Sequence, residues 1–179
     1  MYSYCIYDTS SEKETRISLL LPVFCMQTYI YRSLDYSNVL FIGLPECDIA
    51  RLQRVQNIAA KLVLSDGDSS YNSLKRLHWL PIKLRIQHKA LTLVFKCLHG
   101  QAPQYLCDLL KWEVQKRSGL RSSSDKRLKV PFTKKKTFAD RSFSVAGPQW
   151  WNQLPNQIKD CDTVDNFKKY VKTFLFDRF

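Results

Sequence analysis

Apolar residues recur at three- and four-residue steps in three long stretches of this chain, and each stretch predicts a helix. The first begins at Asp48, whose carboxylate suits a helix N-terminus, and carries Ile49, Leu52, Val55, Ala59, Leu62 and Val63 as its inward stripe. Gly67, within the turn-forming run from Ser65 to Ser69, stops it, and Arg51, Arg54 and Lys61 fall on the opposite face. A short helix around Tyr71 to Leu77 leads into His78, Trp79, Leu80 and Pro81. Pro81 fits the first turn of a second long helix, where its missing N–H leaves no bond unmade, and Gly100 is its left-handed stop after His99. Ile82, Ile86, Ala90, Leu93 and Cys97 form its buried stripe. A last helix follows Thr163, with Val164, Phe167, Tyr170, Val171 and Phe174 inward and Lys168, Lys169 and Lys172 outward.

Between the second and last helices the period changes. Leu128, Val130 and Phe132 alternate with Lys129 and Pro131, and Phe143 and Val145 alternate with Ser142 and Ser144. This predicts two short strands, joined as a hairpin across Lys134 to Lys136. Gly147-Pro148 breaks the chain again, ahead of Trp150 and Trp151. Adjacent tryptophans include a core anchor more often than a base-stacking platform, because of the area each buries. The expected fold is mainly α, a small helical domain with a short two-stranded β-hairpin in its C-terminal half, with α+β as the alternative. Residues 1–30 have no clear period and form an unmatched, disorder-compatible segment. Residues 31–110 form a helical region, and 111–179 a basic segment with short strands and a C-terminal helix. The 179 residues allow one modest domain with loose ends.

Charge sharpens this division. The net charge is +12, yet the first fifty residues hold three basic against six acidic side chains, so the remainder carries +15. The densest part runs from Lys111 to Arg141, with eleven basic residues and three acidic ones. Such a surface suits a polyanion, of which nucleic acid is the commonest, although a solvated basic surface needs no partner at all. Interleaved cations and aromatics in this segment add the means to bind phosphate and stack on bases. In the second helix Arg85, Lys89 and Lys96 lie within about 40° of one another at 100° per residue and form a basic stripe. A phosphate track and a solvated helix face explain that stripe equally well.

Six cysteines without a C-x-x-C pair, and a polar, acidic start without a basic leader, point to reduced thiols in a soluble protein of the cytoplasm or nucleus. The apolar run from Ile17 to Tyr31 is short for a membrane span and is interrupted by Pro22 and Gln27. No catalytic constellation appears. Asp66 with Asp68 and Asp160 with Asp162 are lone D-x-D pairs in turn-like contexts, where capping is the commoner role. His78, His88 and His99 are spread over different elements or faces, and Cys97, His99 and Cys107 lack a fourth zinc ligand at sensible spacing. The expectation is no cofactor, no metal and no catalysis.

Several short motifs occur in a fixed order. Leu52-Gln-Arg-Val-Gln-Asn-Ile-Ala-Ala60 is followed by Leu77-His-Trp-Leu-Pro81 with Arg85, Ile86 and Lys89, and then by His99-Gly-Gln-Ala-Pro-Gln-Tyr-Leu106. Arg121-Ser-Ser123, Arg141-Ser-Phe143, Ala146-Gly-Pro148, Trp151-Asn-Gln-Leu-Pro155 and Phe167-Lys-Lys169 continue the series, and Leu34-Asp-Tyr36 with Asn38 and Gly43-Leu-Pro45 precede it. Together they resemble the C-terminal region of a non-LTR (LINE-type) retrotransposon reverse transcriptase polyprotein, over about residues 31 to 179. Each motif alone is weak; their shared order and spacing carry the resemblance. Tyr31-Arg-Ser-Leu34 departs from the family's S-R-L order, and nothing before Tyr29 matches. The tyrosine-x-aspartate-aspartate motif of the palm has no counterpart, nor has the endonuclease.

The resemblance implies a truncated piece from toward or beyond the thumb, reverse-transcriptase-derived but without polymerase activity. Its expected role is binding template RNA or target DNA through Arg85, Lys89, Lys96, Arg121, Lys126, Arg127, Lys129, Lys134, Lys135, Lys136 and Arg141. The alternative is an interaction remnant whose amphipathic helices packed on the absent domains and which self-associates without them.

Overall fold

A computed structural model describes residues 38–64, 69–113, 126–133 and 141–179. Among them are a 3-10 turn at Asn38–Phe41 and seven helices. These are α1 (Glu46–Leu64), α2 (Ser70–Arg76), α3 (Ile82–Leu98), α4 (Gln104–Cys107), α5 (Phe143–Asn152), α6 (Asn156–Lys159) and α7 (Val164–Phe176). The mainly helical expectation holds. The residues form two compact units, one taking in Leu52–Trp79 and the other Ser37–Arg51 with Leu80–Phe179.

Helix α1 begins in the larger unit, earlier than expected, and runs on into the smaller one from Leu52. The Pro45 carbonyl accepts from Asp48 and Ile49 N–H, so Asp48 lies inside the first turn rather than capping it. Its buried positions in the smaller unit are Gln56, Ala59, Ala60 and Val63. Val55 and Leu62, expected inward, are more than half exposed, as is Ile58. The helix bears apolar residues on two stripes, and periodicity cannot choose between them. In α2, the Ser69 hydroxyl accepts from the Asn72 amide at 3.3 Å as an N-cap. The chain leaves α2 through His78 at φ 52° and buries Trp79.

The larger unit is built around α3. Ile82, Ile86, Ala90 and Cys97 are buried as expected, but so are Leu91, Val94 and Phe95, so the helix is enclosed on most sides. The Phe95 ring stacks on Phe167 of α7 at 4.3 Å, and Phe167 in turn meets Trp151 of α5 at 5.9 Å. Gly147 lets α5 approach α3, since a Cβ there would lie 3.0 Å from the Val94 methyl. Gly100 takes φ +67° and ends α3, as its position predicts. In α7 the Thr163 hydroxyl caps the Asn166 amide, and Phe167, Val171 and Leu175 form the buried stripe. Tyr170, expected inward, is exposed, because Leu175 completes the stripe on the other side of Val171.

The expected hairpin needs correction. Its second arm, Phe143 and Val145, is the first turn of α5, with Ser142 as the N-terminal flanking residue. Gly147 and Pro148 lie inside that helix rather than breaking it. Val145, Pro148 and Trp151, three residues apart, are all buried, and this period outweighs a four-residue alternation too short to specify a strand. The Lys134 to Lys136 turn lies outside the described residues, as does the segment 1–30. The first arm makes no strand among the described residues; its one antiparallel bridge pairs Leu128 with Trp112.

Candidate nucleic-acid interface

Leu128 organises the basic segment. Its side chain is 1% exposed and packs in the cluster that includes Leu91, Phe95, Trp151 and Phe167. One edge of its backbone faces the segment at Trp112, where Lys129 N–H donates to the Lys111 carbonyl at 2.8 Å and Glu113 N–H donates to the Arg127 carbonyl at 3.0 Å. On the other edge the Leu128 N–H donates to Asn152 Oδ1 and Asn152 Nδ2 donates to the Leu128 carbonyl, both at 2.9 Å. The Asn152 amide thus does for Leu128 what a neighbouring strand would do, satisfying both backbone groups. Trp151 adds a third tie, donating from Nε1 to the Lys126 carbonyl at 3.0 Å.

The result is a backbone held from behind with its side chains directed to solvent. Lys126, Arg127 and Lys129 are exposed, with Lys111 exposed on the paired segment. Aromatic surface lies beside them: Trp112 is 49% and Phe132 91% exposed. Cations can neutralise phosphates while the ring faces receive unstacked bases. Lys126 also pairs with Asp160 at 2.7 Å, an exposed contact of modest worth.

Next to this ledge is a cleft of about 370 Å³, lined in part by His99, Trp112, Lys126, Asp160 and Asp162. His99 is fixed there by stacking on Phe95 at 4.0 Å and by Nδ1–H donation to the Phe95 carbonyl at 2.9 Å. The Cys161 thiol, also on the cleft, is pushed up by burial and then by the carboxylates of Asp162 and Asp160. The cleft also takes in the buried Lys159, so its two aspartates are matched by two lysines, and it is a mixed-charge recess beside a basic ledge.

The remaining anticipated residues lie elsewhere. Arg85, assigned to a solvated or phosphate-tracking stripe, is only 6% exposed. It sits close enough to Lys172 of α7 to help push that ammonium down from the usual lysine range, after the larger effect of desolvation. The stripe fails because α7 packs against this side of α3, where His88 Nε2–H donates to the Lys168 carbonyl at 3.1 Å. Lys89 is exposed and Lys96 half-buried, so the three do not act as one surface. Arg141 is exposed, its stem against Gly43, where φ +73° and the absence of a Cβ make room for it. Arg121, Lys134, Lys135 and Lys136 lie outside the described residues.

Of the three residues weighed for zinc, the Cys107 thiol donates to the Ala102 carbonyl at 3.6 Å, His99 is held on Phe95, and burial followed by the nearby Cys107 pushes the free Cys97 thiol up to about 11. No group of three or more His, Cys, Asp or Glu is arranged to hold a metal ion among the described residues. No described helix is long and apolar enough to cross a membrane. Trp112 and Asn152 are positions of this candidate interface that the sequence analysis did not single out. The Lys111-Trp112 dipeptide is a weak local signal for the first; the second stands in the Trp151-Asn-Gln-Leu-Pro155 motif, but its bond to Leu128, 24 residues away, leaves no local trace. No family model, curated protein or solved structure matches this chain.

Proposed function

We propose that this chain is a non-catalytic nucleic-acid-binding piece, descended from the C-terminal region of a non-LTR retrotransposon reverse transcriptase, whose ancestral role is to hold template RNA or target DNA. The ordered motifs support the descent. The observation that carries the binding role is the ledge, in which Leu128, Asn152 and Trp151 secure the backbone while Lys126, Arg127 and Lys129 face solvent beside Trp112 and Phe132. That pairing of fixed cations with open ring faces suits a single strand better than a duplex, whose bases are already stacked. Anisotropy of labelled single-stranded RNA over a salt series tests it. Saturable binding that weakens steeply with salt is expected, and no binding even at low salt would sink the proposal.

A second reading, an interaction remnant, rests on Val55, Ile58 and Leu62, which expose an apolar line along successive turns of α1. In isolation this line drives self-association. Sedimentation should then show concentration-dependent oligomers that Ile58→Lys with Leu62→Lys converts to monomer. A monodisperse monomer at every concentration would refute it.

A further inference from the structure

We infer that the cleft beside the ledge takes one unstacked guanine of a bound single strand, with the ring against Trp112 and its Watson–Crick edge on Asp162. The inference rests on the single-strand reading above and adds a base identity to it. Three features of the cleft point the same way.

The first is shape and surface: a recess of about 370 Å³ has room for a purine, and Trp112 offers a half-open indole face at its wall. The second is polarity. The strand's phosphates belong on Arg127 and Lys129, whereas the recess balances Asp160 and Asp162 against Lys126 and Lys159, so it has no net positive charge to draw a phosphate, and its carboxylates accept from N–H groups. Asp160 already accepts from Lys126, so its charge is partly answered. No hydrogen bond or ion pair among the described residues engages the Asp162 carboxylate, which lines the same recess. The third is the match of donors. A carboxylate offers two acceptor oxygens side by side, and guanine alone of the four RNA bases presents two adjacent donors, N1–H and the N2 amino group, on one edge. Cytosine and adenine put a ring-nitrogen acceptor next to their amino group, and uracil flanks its one N–H with carbonyl oxygens. Any of these would set a lone pair against the carboxylate.

The test uses the full chain and two probes. Guanosine and inosine, which differ only in the N2 amino group, are titrated while tryptophan fluorescence is followed. A uridine oligomer carrying one guanosine, one inosine or neither is then measured by anisotropy at fixed salt. Guanosine should bind about tenfold more tightly than inosine, in line with one well-placed base contact. The same order should hold in the oligomers. Asp162→Asn should erase the difference while leaving the salt slope unchanged, because the amide places a donor against one of the guanine donors. Trp112→Ala should weaken all probes together. Equal binding of guanosine and inosine, or a preference that survives Asp162→Asn, overturns the inference whatever the oligomers do. A guanosine preference in a chain that binds no oligomer at low salt would uphold the recess and overturn the single-strand reading. Circular dichroism of each variant confirms that the comparison is between folded proteins.

Discussion

The cations of α3 and those of the Lys126 to Lys129 ledge look alike in the sequence and end differently in the fold. Arg85 is enclosed where α7 packs on α3, close enough to Lys172 to help hold that ammonium below the usual lysine range. Arg127 and Lys129 stand in solvent because the residue between them supplies the core contact and the backbone bonds. The difference lies in the anchor. On the helix, packing is decided by which face the neighbouring helix covers, and a cation on that face is covered with it. On the ledge, Leu128 alone is drawn inward, and alternation at period two turns both neighbours outward.

The most direct way to break this contrast is to remove the anchor without touching a charge. Trp151→Ala should cost about 3–5 kcal/mol in urea unfolding, since it empties the centre of the cluster and unties Lys126. Asn152→Ala should cost about 1–3 kcal/mol, the penalty for leaving the Leu128 N–H and carbonyl without their partner. It should also weaken RNA binding although no cation is lost. Unchanged affinity in a destabilised Asn152→Ala protein would show that the ledge does not need its clamp, and the contrast with α3 would lose its physical basis.

A smaller effect separates the two sets by salt dependence. Arg127→Ala with Lys129→Ala removes two phosphate contacts and should reduce the slope of log affinity against log salt by roughly 1.4, at about 0.7 per neutralised phosphate on a single strand. Arg85→Met should leave that slope alone. If the two variants change the slope equally, α3 contributes to the interface after all.

The same contrast shows how far the sequence could be read. The long helices, the Gly100 stop, the Thr163 cap and the buried Trp151 follow from local patterns that survive into the fold. The stripe containing Arg85, the inward assignment of Val55, Leu62 and Tyr170, and the second strand fail for one reason. Each required knowing which element packs against which face, and periodicity gives only the spacing of a face, not its partner. The ledge was partly legible: alternation around Leu128 was visible, but its closure by Asn152 joins residues 24 apart, and the Trp112 partner lies across a segment that pattern alone does not bridge. Of the cleft, the sequence marked Asp160 and Asp162 only as an isolated pair; the fold sets them beside His99 and Trp112.

The smallest effect concerns Lys172, the α7 cation that lies close to Arg85. A lysine in the unfolded chain titrates near about 10.4. In the folded chain desolvation, and then the Arg85 guanidinium, hold Lys172 below its ordinary value. Between the folded and unfolded values the unfolded chain binds more protons, so this group makes stability rise with pH across that window, and its cost is fully present below the folded value. Cys97 acts in the opposite sense. Its thiol is raised from 9.0 to about 11 in the fold, so the unfolded chain sheds that proton first and stability falls as pH climbs between those values. The two slopes overlap, and the wild-type curve alone cannot separate them. The difference in unfolding free energy between wild type and Lys172→Met can, since Cys97 contributes equally to both. Lys172→Met should be the more stable protein near neutral pH, with the gap closing as pH rises toward about 10.4. Arg85→Met should shrink the gap without abolishing it, because desolvation is the larger cause. A gap independent of pH would mean that the ammonium titrates alike in both states, and the cations of α3 would then differ from those of the ledge in burial but not in energy.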